Sequence, residues 1–108
     1  MATAPEQFFG AWTGSWQNQT NPSFSGHIEV EIAQDAERPP GNMRLTASLS
    51  GARTPWFAAT GALRDGALVF MAPGDTTIEL ILHGQNRIEA KYFNSREHGI
   101  WTLKRRGG

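Results

Sequence analysis

A length of 108 residues predicts one domain, spanning residues 1–108, built around a single hydrophobic core. Ten basic side chains balance ten acidic ones, so no excess charge attracts nucleic acid or an anionic membrane surface. The chain has no cysteine, which excludes disulfides and thiolate metal sites.

The first residues carry neither a basic start nor an apolar run, and we expect residues 1–7 to be a flexible end rather than a secretory signal. Residues 107–108 are expected to be flexible as well. No stretch approaches the roughly 20 apolar residues of a membrane helix. These features favour a soluble, cytoplasmic protein, and a mature exported form stays open.

Apolar and polar residues alternate along most of the chain, and glycine-containing breaks recur about every ten to fifteen residues, as in short antiparallel strands. The interval at 34–41 is charged and holds Pro39 and Pro40, which predicts an exposed loop. Eight strands are predicted, at residues 9–18, 26–33, 42–50, 56–63, 67–72, 76–83, 87–94 and 99–106.

The connections between the later strands are short and supply residues that tolerate positive φ, such as Asp65-Gly66 and Gly74-Asp75. Short turns force sequential strands to pair, which gives a meander. Closure of that meander removes both sheet edges and buries its apolar face. We therefore predict an all-β fold, an eight-stranded antiparallel up-and-down barrel.

Strand parity separates inward from outward side chains. The predicted inward set is Trp12, Trp16, Ile28, Val30, Ile32, Met43, Leu45, Ala47, Leu49, Trp56, Ala58, Leu68, Phe70, Ile78, Leu80, Leu82, Ile88, Ala90, Tyr92, Trp101 and Leu103.

The Gly10-Ala11-Trp12 segment on the first strand, together with Trp101 and Arg105 on the last, resembles the calycin superfamily of lipocalins, fatty-acid-binding proteins and avidins. The wider pattern also resembles small bacterial lipocalin-like domains. The resemblance implies a barrel whose floor is plugged by Trp12, with a basic side chain of the last strand packed across it. Parity allows Arg105 to make that cation–π contact with Trp12 or Trp16. A purely structural role for both tryptophans in the core is compatible with this resemblance.

The segment from Thr13 to Gln19 is similar to the first strand of avidins. That resemblance implies that Asn18, and with it Ser23, would bind the ureido oxygen of biotin. The later tryptophans and the last-strand aspartate of avidins have no counterpart that we can place in this chain.

An eight-stranded barrel stands between a filled interior and one that holds a single small ligand. We predict a barrel that binds a small apolar or aromatic molecule and needs no cofactor, with a filled core as the alternative. The predicted ligand-binding residues are Trp12, Trp16, Asn18, Trp56, Phe70, Tyr92, Trp101 and Arg105.

No nucleophile motif or phosphate-binding loop is present in the sequence, so no catalytic residue and no metal ligand is assigned. His27 lies on the strand face opposite the apolar residues, with Glu29 and Glu31. Glu97 and His98 fall in the loop before the last strand. Three residues, His27, Glu97 and His98, are the candidates for acid or base catalysis in a barrel enzyme, which is a further alternative.

The outward face of the later strands is predicted to be unusually apolar. A patch of this kind marks an interface, and a two-fold homodimer is the commonest way to bury it. A protein-interaction module acting through this face is the second functional hypothesis. The side chains assigned to the interface are Phe57, Val69, Met71, Ile81 and Phe93.

Overall fold

The computed structural model describes residues 5–34, 42–52 and 55–106, and these form a closed barrel of eight antiparallel strands in chain order. The predicted fold class is confirmed. The strands are β1 (Gly10–Asn18), β2 (Ser25–Gln34), β3 (Asn42–Leu49), β4 (Trp56–Arg64), β5 (Ala67–Ala72), β6 (Thr76–His83), β7 (Arg87–Phe93) and β8 (His98–Arg105).

The barrel closes because β8 pairs with β1 as well as with β7, and this places Trp16 directly opposite Trp101. Tight turns hold the sequential pairs together. Asp65 and Gly66 adopt φ values of 49° and 85°, as the turn between β4 and β5 requires. Every strand therefore has two partners, and the sheet has no free edge.

The interior is filled by alternate side chains of the strands, as the period-two pattern predicts. In β1 to β3 and in β5 to β8 the observed inward residues are those expected from parity. The largest fully buried side chains are Trp12, Phe8, Phe70, Ile28, Ile32, Met43, Leu45, Leu68, Ile78, Leu80, Ile88 and Leu103.

Strand β4 is the exception, because its parity is the reverse of the prediction. Trp56 is 60% exposed on the outer surface, whereas Phe57 and Ala59 point inward. The predictions that Trp56 and Ala58 face the core, and that Phe57 faces outward, are wrong. The reason lies at Gly61, where a Cβ would come within 2.0 Å of the Val69 carbonyl oxygen and 2.8 Å of the Phe70 ring. Only the inward glycine lets β5 and its buried ring approach this closely.

The N-terminal segment closes one end of the barrel. Pro5–Phe8 forms a 3₁₀ helix, which covers residues 5–7 of the end that the sequence predicts to be flexible. The Phe8 side chain is fully buried, and its carbonyl accepts a 2.9 Å hydrogen bond from the Trp12 indole. Within the described ranges, no helix is long and apolar enough to cross a membrane. Residues 1–4, 35–41 and 107–108, which carry the other end and loop predictions, lie outside the described part of the chain.

Candidate functional site at the open end of the barrel

The two ends of the barrel differ. The end opposite the 3₁₀ helix contains a cavity of about 280 Å³, which opens between the loops that follow β1, β3, β5 and β7. Its lining residues are mostly apolar and come from the ends of the strands and from these loops. They are Trp16, Asn18, Phe24, Leu49, Gly51, Ala52, Phe57, Ala72, Pro73, Thr76, Ile78, Tyr92, Glu97 and Trp101.

The other end is sealed by Arg105. Its guanidinium carbon lies 4.2 Å from the centroid of the Trp12 ring. The same guanidinium donates hydrogen bonds of 2.8 Å to the Phe9 carbonyl, 2.9 Å to the Gln7 carbonyl and 3.1 Å to the Gln85 carbonyl. The 3₁₀ helix, β1, β8 and the turn between β6 and β7 are thereby joined across the barrel floor.

Three aromatic rings form one wall of the cavity. The Trp101 ring lies between those of Phe57 and Tyr92, with centroid separations of 6.1 Å and 6.2 Å and interplanar angles near 45°, at 43° and 41°. Tilted pairs at this distance are favourable aromatic contacts. Gly99 makes the arrangement possible, because a Cβ there would lie 2.3 Å from the Tyr92 ring and hydroxyl. The row of rings is therefore held in place because the large Tyr92 side chain lies opposite a glycine, Gly99, on the neighbouring strand.

The indole N–H groups in this end of the barrel are not equivalent. Trp16 Nε1 donates to the Ser50 carbonyl at 3.0 Å, which fixes that ring against the loop after β3. Trp101 is 2% exposed, and its Nε1 has no hydrogen-bond partner in the described structure. A buried donor without an acceptor is rare and energetically costly in folded proteins.

Tyr92 lines the cavity with its ring and hydroxyl. Burial raises the pKa of Tyr92 to about 12, and the nearby negative charge of Glu97 contributes in the same direction. Both effects disfavour the phenolate. The hydroxyl therefore stays protonated at neutral pH and can donate a hydrogen bond into the cavity.

Glu97 is held at the rim by a polar network. Asn18 is 4% exposed; its Nδ2 donates to Glu97 Oε2 at 2.9 Å, and its Oδ1 accepts from the Asn21 backbone N–H at 2.9 Å. Within its own loop, the Glu97 backbone N–H donates to Asn94 Oδ1 at 2.9 Å. These contacts fix the carboxylate beside the aromatic wall.

The structure brings together half of the ligand-binding residues predicted from the sequence. Trp16, Asn18, Tyr92 and Trp101 line the cavity. Two further predictions, Trp12 and Phe70, are fully buried and are not part of this lining. The last two lie elsewhere: Arg105 at the sealed floor and Trp56 on the outer surface.

Asn18 is the first residue of the avidin-like assignment. Both polar atoms of its side-chain amide already form hydrogen bonds within the protein. Ser23, the second residue of that assignment, is exposed, and its hydroxyl donates to Asn21 Oδ1 at 2.7 Å. A ureido ligand would have to replace these contacts.

The histidine candidates lie outside the cavity lining. His98 Nδ1 is 3.2 Å from Thr20 Oγ1, and His27 Nε2 is 3.3 Å from Glu29 Oε1 on the outer face of β2. A hydrogen bond from Thr13 is the main cause that lowers the pKa of Glu29, followed by one from His27. The described residues contain no group of three or more acidic or histidine side chains suited to a metal ion.

Several residues of the cavity lining were not predicted from the sequence, although the order and direction of the strands could have identified them. In a meander, the ends of odd-numbered strands and the starts of even-numbered strands meet at one end of the barrel. Leu49, Ala72 and Ile78 satisfy this rule and parity together. Phe57 also satisfies the rule, but the wrong parity in β4 hid it.

Comparison with known proteins supports the fold. No family model matches this chain, and no curated protein matches it. The chain is similar to the solved structure of a redesigned β-barrel, with a TM-score of 0.69 and 14% sequence identity over 98% of this chain and 97% of that one. At this identity the likeness concerns the eight-stranded barrel architecture alone.

Proposed function

We propose that this protein is a lipocalin-like barrel that binds one small molecule with an apolar or aromatic body in the cavity at its open end. The observation that carries the proposal is the contrast between the two ends. One end is filled by Phe8, Trp12 and Arg105, while the other holds an apolar cavity of about 280 Å³. Concave, mostly apolar sites with a few polar groups are the usual form of small-molecule sites.

The cavity volume limits the size of the ligand. The cavity volume of about 280 Å³ lies at the lower end of the range for small-molecule sites, about 300–1,000 Å³. That volume suits a compact molecule with one or two rings. A long acyl chain would extend beyond the mouth.

The floor contacts support the calycin-like part of the proposal. The resemblance of the Gly10-Ala11-Trp12 segment to calycins implies a tryptophan plug covered by a basic residue of the last strand. Arg105 packs over Trp12 in that manner and hydrogen-bonds to the N-terminal segment. A rigid floor of this kind would let the open end bind ligand without loosening the barrel.

Isothermal titration calorimetry with tert-butylbenzene tests the proposal. We expect saturable binding of one molecule per chain. Ala72→Trp places a bulky side chain in the lining and should abolish binding. Ala67→Trp, on the outward face at the other end of β5, is the matched control and should bind normally. Native mass spectrometry of the purified protein would also detect a retained ligand. Absence of binding in the unmodified chain, or equal binding by both variants, would overturn the proposal.

The outer face supports a second candidate function, a homodimer or protein-interaction surface. Met71, Ile81 and Phe93 are 56%, 38% and 43% exposed, which is high for large apolar side chains. Val69 lies on the same face, whereas Phe57 must be removed from the predicted interface because it points inward.

Light scattering after size-exclusion chromatography tests this second candidate. The double variant Ile81→Ser with Phe93→Ser should convert a dimer to a monomer without loss of the strand signal in circular dichroism. A protein that is already monomeric at high concentration would contradict a homodimer through this face.

A further inference from the structure

The electrostatics of the cavity narrow the class of ligand, given the binding function proposed above. Glu97 is the one charged side chain among the described lining residues, and none of the described lining residues is lysine, arginine or histidine. Arg96 and His98, its neighbours in the chain, are exposed and do not line the cavity. The lining therefore carries one negative charge and no described positive charge to offset it.

The aromatic side chains of the lining act in the same direction as this charge, because they also attract cations. Five of its side chains are aromatic, and three of them form the continuous row of Phe57, Trp101 and Tyr92. The face of an aromatic ring carries negative electrostatic potential, and it attracts ammonium groups, most strongly where water is excluded. Aromatic side chains around a cavity are the usual means of recognising quaternary ammonium ligands.

Glu97 is positioned to complete such a site. Asn18 Nδ2 holds its Oε2 at 2.9 Å, and the hydrogen bonds with Asn94 fix the loop that carries it. The charge acts on Tyr92, because after burial it is the second cause that raises the pKa of this side chain. A carboxylate beside these rings favours a cation and disfavours an anion.

We infer that the ligand of the open end is an organic cation, with an ammonium group on a small apolar body. The ammonium methyl or methylene groups contact the exposed parts of the Phe57 and Tyr92 rings, and the Glu97 carboxylate supplies the opposite charge. Anions of the same size are disfavoured, because Glu97 repels them and no described lining residue carries a positive charge to pair with them.

The test uses three probes of matched size and shape that differ in charge: phenyltrimethylammonium, tert-butylbenzene and benzenesulfonate. Calorimetry should show that the cation binds about tenfold more tightly than the neutral isostere, a ratio equivalent to about 1.4 kcal/mol. Benzenesulfonate should bind most weakly. In proton NMR, the methyl resonance of the bound cation should shift upfield, since the methyl groups lie over ring faces.

Variants then assign the charge effect to one side chain. Glu97→Gln should weaken binding of phenyltrimethylammonium about fivefold and leave tert-butylbenzene unchanged. Asp65→Asn removes the same charge at the opposite end, in a positive-φ turn position that asparagine tolerates, and should change neither affinity.

The outcomes separate this inference from the function on which it rests. Equal or tighter binding of tert-butylbenzene, or no effect of Glu97→Gln, would overturn the cation preference and leave a ligand-binding barrel. Tight, Glu97-dependent binding of the cation with an upfield methyl shift supports the inference. Failure of all three probes to bind would overturn both.

Discussion

The guanidinium of Arg105 lies over the ring of Trp12, with 4.2 Å between the guanidinium carbon and the ring centroid. This contact joins the last strand to the first across the barrel floor. The same guanidinium also donates hydrogen bonds to the carbonyls of Gln7, Phe9 and Gln85. A point charge such as a lysine ammonium could make the cation–π contact. Only the forked donor of arginine can make that contact and these hydrogen bonds together.

Replacement of Arg105 by lysine should therefore destabilise the protein even though the charge is kept. We expect the free energy of unfolding to fall by about 1–3 kcal/mol, the usual cost of lost hydrogen bonds to a charged group. Urea denaturation followed by circular dichroism measures it. Arg106→Lys at the exposed neighbouring position is the control, and an equal effect of both variants would contradict a specific role for Arg105.

The buried ring of Phe8 predicts that the N-terminal segment is part of the core. Phe8→Ala should lower the free energy of unfolding by about 3–5 kcal/mol, as for other fully buried phenylalanines. The exposed Phe24 provides a comparison, since Phe24→Ala should cost less than about 1 kcal/mol. Thermal unfolding of the two variants checks the difference, and a small effect at Phe8 would contradict its place in the core.

The neighbours Trp56 and Phe57 give a direct test of the inward face of β4. Phe57→Ala should cost about 2 kcal/mol and weaken ligand binding, because the ring is half-buried and packs on Trp101. Trp56→Ala should change stability by less than about 0.5 kcal/mol and leave binding intact. Calorimetry and urea denaturation report both quantities. A larger loss of stability and binding for Trp56→Ala than for Phe57→Ala would instead support the strand parity predicted from the sequence.

The sequence pattern predicted eight strands and their order because most strands have one clearly apolar face. In β4 both faces offer one aromatic residue followed by small ones, Trp56 and Ala58 against Phe57 and Ala59. The later residues of β4 do favour the observed face, because Leu63 lies on it while Thr60 and Arg64 lie on the other. Gly61 adds a second constraint, since it must lie where Phe70 of the next strand approaches. That constraint is a contact between strands and is not written in the periodicity of either.

The cavity was harder to predict than the barrel, for a related reason. Alternation identifies inward residues but does not say at which height along the barrel they lie. Trp12 and Trp16 share one face of β1, yet one plugs the floor and the other lines the mouth. Strand direction in the meander resolves this height. It would have moved Trp12 and Arg105 out of the predicted site.

Tyr92 is the single tyrosine of the chain, so its ionisation can be followed without ambiguity. Burial, with help from Glu97, raises its pKa from 10.0 to about 12 in the folded protein. Between these values the unfolded chain has lost the proton and the folded chain has kept it, so the free energy of unfolding falls as pH rises from about 10 to 12. The fall is at most about 2.7 kcal/mol and is reduced by solvent at the open mouth.

Ultraviolet absorbance of tyrosinate measures the titration in the native state, and Tyr92→Phe should remove this part of the alkaline destabilisation. Titration of the native protein near pH 10 would show instead that water reaches the hydroxyl freely.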